Sequence, residues 1–589
     1  MDFTRLFDIL PYQQYKYPQE VALCNLQNGA ETPFSTGQCI TLIQQLSAGL
    51  LGIGLQNGDK VAILSSYNCA EWTITDLAVQ QAGGMVVPIH ATTSADECIY
   101  IFNHAQIKYC FVNNQDLYKK ITEIQHQCPH LQGVFTFMPV ANAPNWQQLF
   151  TQNADLLQQA AQVKNAISPQ QTATILYTSG TTGQPKGVML SHANMVSNIK
   201  AVLSVIPLMH ANKVLSFLPL SHVFERTVVY TYLAAGASVC FSMITQTEQN
   251  LKQVKPLYFT AVPRVLERMY EAIEKKGQKL KGIQRRLFWW ALQVAEQYPV
   301  SGKINFTYAV KLYIARLLVF NRLKQAVGGS VKGIILGAAT LQPRLAQIFT
   351  AAGIPIREGY GLTECSPVLA FNRFEPGGSR LGTVGIPIPG VEIDLAPADG
   401  EILARGPNIM QGYYQEPELT QTILAPDGWL HTGDLGEWVD DKFLKISGRK
   451  KELFKVTSGK YVAPQPIENR LCRHTLIEHA LIIGDSKQYI CALIAPAFDL
   501  LAGYCQAHNL PVDNQSRQNW LKLEPIMAIY KSMIDEYNTQ HATEHPIKKF
   551  LLLPVEFTPE NGLLTPTFKV KREAVIELFK QQIAALYAY

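Results

Sequence analysis

Tyr177-Thr-Ser-Gly-Thr-Thr-Gly-Gln-Pro-Lys-Gly187 is a hydroxyl- and glycine-rich loop with a single lysine, set between the apolar run 173–176 and the segment Val188-Met-Leu190. Gly180 and Gly183 let the backbone turn its N–H groups toward an anion. Thr178, Ser179, Thr181 and Thr182 add hydroxyl donors, and Lys186 adds a cation. Such a loop suits a polyphosphate. It is not a Walker loop, because that pattern needs Gly-Lys followed by Ser or Thr, and here Lys186 precedes Gly187.

Outward from this loop, apolar strands alternate with helical stretches. Lys60-Val-Ala-Ile-Leu-Ser65 reads as a strand, 70–82 as a helix closed by Gly83-Gly84, and Met85-Val-Val-Pro-Ile89 as the next strand. Residues 94–105 read as a helix opened by the capping box Ser94-Ala-Asp-Glu97, and Lys108-Tyr-Cys-Phe-Val112 as a strand. Alternation of this kind predicts βαβ units and largely parallel sheets with helices on their faces. The pattern returns with a strand over 331–336 running into Gly337-Ala-Ala-Thr340, a helix over 341–352, and a short strand over 354–358 leading to Gly359-Tyr-Gly-Leu-Thr-Glu364. Both Gly-rich loops thus fall at the carboxyl ends of strands, where open α/β sheets bind ligands. After about residue 377 strands shorten and Gly/Pro turns multiply, which predicts a distorted antiparallel barrel. Beyond the charged junction Gly448-Arg-Lys-Lys-Glu452 the signals mix as in a small α+β domain. The expected division is 1–450 and 451–589, with the boundary at Lys451.

A chain of 589 residues is too long for one core and predicts roughly three to four folding units. Composition is globular, at 47% hydrophobic and 16% charged. The net charge of +5 is small for this length and, with no basic stripe interleaved with aromatics, argues against nucleic acid. The cysteines, scattered without a Cys-x-x-Cys pair, read as reduced thiols in a cytoplasmic protein. The N-terminus lacks the basic start and apolar block of a secretory signal. Residues 227–247 carry no charge and are long enough to span a bilayer, but Gly236 breaks them, so a buried helix, turn and strand are expected. The 49–58 stretch lies before its strand and lacks the dinucleotide spacing, so it reads as a helix end and turn.

Three further blocks carry chemistry: Gly359-Tyr-Gly-Leu-Thr-Glu364, Asp427-Gly-Trp-Leu-His-Thr-Gly-Asp434, and Leu564-Thr-Pro-Thr-Phe-Lys-Val-Lys-Arg572. With the 177–187 loop and the 448–452 junction, they resemble, in order along most of the chain, the adenylate-forming superfamily of acyl-CoA synthetases, firefly-type luciferases and peptide-synthetase adenylation domains. The chain looks most like a long-chain fatty acyl-CoA synthetase. The resemblance implies that the 178–187 loop holds the β and γ phosphates of ATP. It implies that Gly337, Ala338 and Ala339 line the adenine pocket beside Glu358, and that Tyr360 and Gly361 flank the base. Thr363 would contact the α-phosphate and Glu364 would hold Mg²⁺, a metal that prefers oxygen ligands alongside substrate phosphates. Asp434 would accept hydrogen bonds from the ribose diol, Arg449 would contact the same ribose, Lys451 would be the hinge, and Lys569 would be the catalytic lysine. Fatty-acid members usually carry Asp where this chain has Gly448, which removes one carboxylate at the junction. Leu218-Pro-Leu-Ser-His-Val-Phe-Glu-Arg226 resembles the segment beside the acyl carboxylate, with His222 and Phe224 as walls; a packed histidine fits His222 equally well.

The implied reaction is two-step: acyl-AMP and pyrophosphate from a fatty acid and ATP, then acyl-CoA and AMP after attack by coenzyme A. A light-emitting member, an acyl-AMP ligase or acyl-carrier-protein ligase of the same superfamily, or an inactive acyl-binding protein on the same fold are the alternatives. With so few residues after Lys569 in this chain, a peptide-synthetase adenylation domain feeding its own carrier domain is not expected. Residues 270–324 form a basic helical stretch with apolar faces, Leu287-Phe-Trp-Trp-Ala291 among them. A peripheral contact with the inner face of a membrane, a homodimer interface and a solvated face all fit it.

Overall fold

The computed structural model describes residues 2–178, 184–299, 304–337, 341–457, 460–508, 510, 517–540, 545–558, 561–565 and 570–587. The chain divides into two compact units, one of residues 1–394, 403–432 and 438–445, the other of residues 395–402, 433–437 and 446–589.

The first unit carries two large sheets. One runs in the order Gly412–Tyr413, Lys186–Ser191, Thr172–Thr178, Met85–His90, Lys60–Ser65, Ile107–Val112, Gly133–Thr136. Its last five strands are parallel, while Lys186–Ser191 returns antiparallel to Thr172–Thr178 and Gly412–Tyr413 closes the edge. The two strands that flank the phosphate-type loop are therefore paired, with Thr178 opposite Lys186. The other sheet has nine strands. Its parallel run passes Leu23–Gln27, Ser238–Ser242, Lys213–Ser216, Tyr258–Ala261, Gly333–Leu336 and Ile356–Gly361, with antiparallel strands outside it.

The local expectations explain most of these elements. The helix Ala95–Ala105 starts at Ser94, whose hydroxyl accepts from the Glu97 N–H at 3.2 Å while the Glu97 carboxylate accepts from the Ser94 N–H at 3.2 Å. Residues 227–247 resolve into the end of helix Val223–Ala234, a turn at Gly236 (φ +78°), and the buried strand Ser238–Ser242. Among the described residues no helix is long and apolar enough to cross a membrane. Several boundaries differ from expectation, the strand expected over 331–336 among them, which starts at Gly333; two of the differences have a plain physical reason. The helix expected over 341–352 is Pro343–Ala351, because proline suits the first helical position, where its missing N–H leaves no bond unmade. The strand expected to end at residue 358 runs on to Gly361, because Val368–Phe371 folds back and pairs with it. Half of the second candidate nucleotide motif is thus strand.

The largest apolar cluster gathers helices Thr36–Gly52, Ala70–Gln81 and Val223–Ala234. Each fully buried leucine-sized side chain there contributes about 1.5–3 kcal/mol. A second cluster lies under helices Gly282–Glu296 and Pro343–Ala351.

Four strands, Glu392–Leu395, Glu401–Arg405, Leu430–Val439 and Phe443–Arg449, form a curled half-barrel sheet in that order. The second unit is α+β. Ile477–Ile483, Ile490–Pro496 and Ile547–Leu552 form its three-stranded sheet, antiparallel then parallel, with separate apolar clusters containing Leu501 and Leu553.

Candidate active site

In the first unit, four elements bring sequence-distant groups together at the base of the hairpin loop. Thr178 and Lys186 stand opposite each other at its neck. The edge strand Gly412–Tyr413 is held beside them by the Tyr414 N–H donating to the Gly187 carbonyl at 2.7 Å. Lys186 Nζ lies 5.4 Å from the centre of the Tyr413 ring, a cation–π distance. The Tyr413 hydroxyl donates to Glu364 Oε1 at 2.8 Å. Burial and the neighbouring Glu364 carboxylate push the Tyr413 phenol well above its ordinary pKa, so it stays protonated and a donor. The Glu364 carbonyl also accepts from the Met410 N–H at 2.8 Å. Thr363 and Glu364 belong to one 3-10 turn, Thr363–Cys365. One phenol therefore sits between a cation and a carboxylate. Tyr413 was absent from the sequence expectations; its only signal is the short Gly412-Tyr-Tyr414 run, too brief to read as a strand.

Tyr360 and Gly361 end the strand that leads into this turn. Gly361 has no alternative, since a Cβ there would lie 1.7 Å from the Pro367 carbonyl oxygen. Glu358, on the same strand, is buried, and its Oε2 accepts from the Leu341 N–H at 3.1 Å. Burial raises its pKa to about 7 against an ordinary 4.5, while the hydrogen bond from Leu341 pulls the other way.

Phe224, expected on the acyl side, meets Gly337, expected beside adenine, directly. A Cβ at Gly337 would lie 2.8 Å from the Phe224 ring, so the ring occupies the space that glycine leaves. His222 caps the helix Val223–Ala234, its Nδ1 accepting from the Phe224 N–H at 3.2 Å. That helix is tied down from below. Arg226 is buried and grips Asp76 with Nε to Oδ2 at 2.8 Å and Nη2 to Oδ1 at 2.5 Å, and donates Nη1 to Thr174 at 2.7 Å. The Tyr230 hydroxyl also donates to Asp76. Glu225, equally buried, accepts from Ser216 at 2.6 Å and Thr260 at 2.7 Å, and burial still raises its pKa to about 7. The segment bearing His222 and Phe224 is thereby fastened to helix Ala70–Gln81 and strand Thr172–Thr178, the strand that carries the loop.

In the second unit, buried Asp434 pairs with Arg449, Nε to Oδ1 at 2.9 Å. Lys450 pairs with Asp399 at 2.7 Å and Glu401 at 2.8 Å, and Glu401 also accepts from the Gly433 N–H at 3.0 Å. The junction thus has salt bridges although Gly448 lacks a carboxylate. Lys451 is exposed in the 3-10 turn Lys450–Glu452. Leu564 and Val570 form a bridge across the neck of the terminal motif. Arg572, just beyond, pairs with partly buried Glu468 and donates to the Ile482 carbonyl at 2.8 Å. Ser179, Gly180, Thr181, Thr182, Gly183, Ala338, Ala339 and Lys569 lie outside the described residues.

Among the described residues no three His, Cys, Asp or Glu side chains cluster to hold a metal. A lone carboxylate fixed by a phenol, as at Glu364, fits Mg²⁺, which is commonly bound by one or two carboxylates plus substrate phosphates.

A phosphate-type loop at a strand end, a cation and carboxylate meeting on one phenol, and an α+β second unit agree with the family comparison. Residues 10–414 match the AMP-binding enzyme family and residues 452–589 match the AMP-binding enzyme C-terminal domain. The chain belongs to the AMP-binding enzymes. Within them it is similar to the long-chain-fatty-acid–CoA ligase FadD15 of Mycobacterium bovis, at 33% identity over 97% of this chain and 95% of that protein. It is also similar to the peroxisomal long chain acyl-CoA synthetase 7 of Arabidopsis thaliana, at 30% identity over 94% and 81%. Its fold is that of the adenylation domain of a carboxylate reductase from Mycobacterium chelonae, with TM-score 0.76, 19% identity, and coverage of 99% of this chain and 91% of that one.

Proposed function

We propose that this protein is an AMP-forming ligase that activates a long-chain fatty acid and transfers it to coenzyme A. The acid's carboxylate oxygen attacks the α-phosphorus of ATP and pyrophosphate leaves, giving acyl-AMP. The thiolate sulfur of coenzyme A then attacks the acyl carbon and AMP leaves with the bonding pair. A carboxylate's oxide is a poor leaving group; AMP is a good one. No protein nucleophile is needed.

In this reading Thr178, Ser179, Gly180, Thr181, Thr182, Gly183 and Lys186 hold the β and γ phosphates. Gly337, Ala338, Ala339, Glu358, Tyr360 and Gly361 surround adenine, and Thr363 donates to the α-phosphate. Asp434 and Arg449 take the ribose, with Asp434 suited to a vicinal diol because a carboxylate offers two acceptor oxygens. His222 and Phe224 wall the acyl carboxylate. Lys569 supplies the charge that stabilises the pentacovalent phosphorus; removal of one such aimed donor typically costs ~10²–10³ in rate. Glu364, oriented by Tyr413, would hold Mg²⁺, which supplies charge neutralisation on the phosphates. The division into 1–450 and 451–589, with Lys451 absorbing the backbone change between adenylation and thioester formation, belongs to the same reading, as does a cytoplasmic location.

The observation that carries it is the meeting of Lys186 and Glu364 on Tyr413 at the base of the hydroxyl loop. Support for the substrate comes from relatives at 30–33% identity over nearly the whole chain. The test is product analysis with saturated acids of graded length, with coenzyme A or an acyl carrier protein as acceptor. Acyl-CoA formation strongest with long acids is expected. Activity only with amino acids, only with carrier protein, or with no carboxylate would overturn the assignment.

A further inference from the structure

The helical segment following residue 304 leaves an apolar face bare. Helix Phe306–Ala315 and the π-helical turn Arg316–Phe320 bury Leu312, Ala315 and Phe320 against the second core. Arg316 fastens that inner side by donating Nε to the Ala351 carbonyl at 2.7 Å. On the outer side Phe306 is 84% exposed, Tyr313 69% and Leu317 59%, and Val310, Ile314 and Leu318 are exposed with them. Spacings of three, four and one residues put these six on one arc of the helix. Ile283, also exposed, opens the helix Gly282–Glu296 that packs alongside, next to exposed Arg285 and Arg286. Scattered single apolar residues are normal on a surface; a continuous helical arc of them is not.

The charge carried by this segment of the chain has one sign. From residue 297 to residue 357 the chain holds no Asp or Glu and eight Lys or Arg. Lys311 and Arg322 are exposed at the border of the arc. We infer that this face lies on an anionic phospholipid surface, with the apolar arc in the headgroup–acyl boundary and Lys311 and Arg322 among the headgroups. An isologous contact between two copies would bring these cations against each other with no carboxylate in the segment to answer them. An anionic lipid layer supplies the missing charge. The inference rests on the fatty-acid reading above, since a membrane is where a long-chain acid partitions.

The test is flotation of the full chain with vesicles of phosphatidylcholine alone and of phosphatidylcholine mixed with phosphatidylglycerol. Binding to the anionic vesicles that weakens as salt rises is expected. Phe306→Ser with Leu317→Ser should lower the partition coefficient roughly tenfold or more. Lys311→Glu with Arg322→Glu should lower it by a similar factor, since each cation near such a surface contributes about fivefold. Both double variants should keep the wild-type thermal midpoint and the wild-type turnover of a water-soluble medium-chain acid. Flotation lost with turnover intact would support the lipid face. Intact flotation without turnover in the wild type would strike the proposed reaction alone. The inference falls if the wild type fails to float with anionic vesicles at low salt, or if the serine variant floats as well as the wild type. It also falls if the wild type is a dimer that the serine variant makes monomeric without any change in vesicle binding.

Discussion

Arg226 with Asp76, on helices Val223–Ala234 and Ala70–Gln81, and Lys450 with Asp399 and Glu401, at the junction, are both ion-pair sites built on carboxylates, yet they differ in their surroundings. The first pair is sealed from water, bidentate, and joined by Tyr230 and Thr174. The second joins a half-exposed lysine to a partly exposed carboxylate, Asp399, and a buried one, Glu401. A buried pair that loses one partner leaves an unanswered charge in a low-dielectric interior, whereas an exposed pair exchanges its partner for water at little cost. The sealed pair suits a scaffold that must hold His222 and Phe224 in one place. The junction pair is open to water on its lysine side.

The comparison breaks most severely at Arg226. Arg226→Ala should destabilise the first unit by about 3–5 kcal/mol, read as a lowered denaturation midpoint or loss of soluble protein. Replacing both partners by apolar residues, as Arg226→Met with Asp76→Leu, should recover much of that loss, because no charge is then left unpaired. Failure of the double variant to recover would shift the weight from the charge to the Thr174 and Tyr230 bonds.

Glu225, beside the sealed pair, sharpens the point through pH. Its folded pKa of about 7 lies above an ordinary glutamate's 4.5, so the folded state binds more protons between those values. Stability from this group is therefore full below about pH 4.5 and declines as pH rises through about 7, by at most about 3 kcal/mol. Glu225→Gln should remove that decline, so the midpoint difference between variant and wild type should grow in the variant's favour from pH 5 to pH 8. A difference that is constant with pH would contradict the burial account.

Tyr413→Phe keeps the ring under Lys186 and removes the donor to Glu364. Loss of such an orienting contact typically costs about 10–100-fold in metal affinity or activity. The expected signature is a raised Mg²⁺ requirement for turnover with an unchanged thermal midpoint. The smallest effect belongs to the junction: Lys450→Ala should cost about 1–2 kcal/mol, because buried Glu401 loses its cation but keeps the Gly433 N–H while Asp399 returns to water.

Much of this architecture was legible in the sequence because its signals are local. The alternating strands and helices from 60 to 112, the capping box at Ser94 and Glu97, and the break at Gly236 each rest on neighbours within a few residues. The Asp76–Arg226 grip was not legible, since a charged residue inside an apolar helix says nothing about a partner 150 positions away. Tyr413 escaped for a related reason: a two-residue edge strand has no periodicity, and its meaning appears only where Lys186–Ser191 and the Thr363–Cys365 turn come beside it. The extension of strand Ile356–Gly361 likewise depended on the returning strand Val368–Phe371, a tertiary partner that overrides local turn chemistry. The candidate site was readable as a set of motifs, while the side chains that orient those motifs were not.

The most direct test of the account is to mix the purified protein with ATP, Mg²⁺ and palmitate before any coenzyme A is added, and to identify the products by mass spectrometry. Palmitoyl-AMP and pyrophosphate in equal amounts, converted to palmitoyl-CoA and AMP once the thiol is supplied, is the predicted result. Release of ADP and phosphate instead, or thioester formation with no adenylate ever detected, would contradict it.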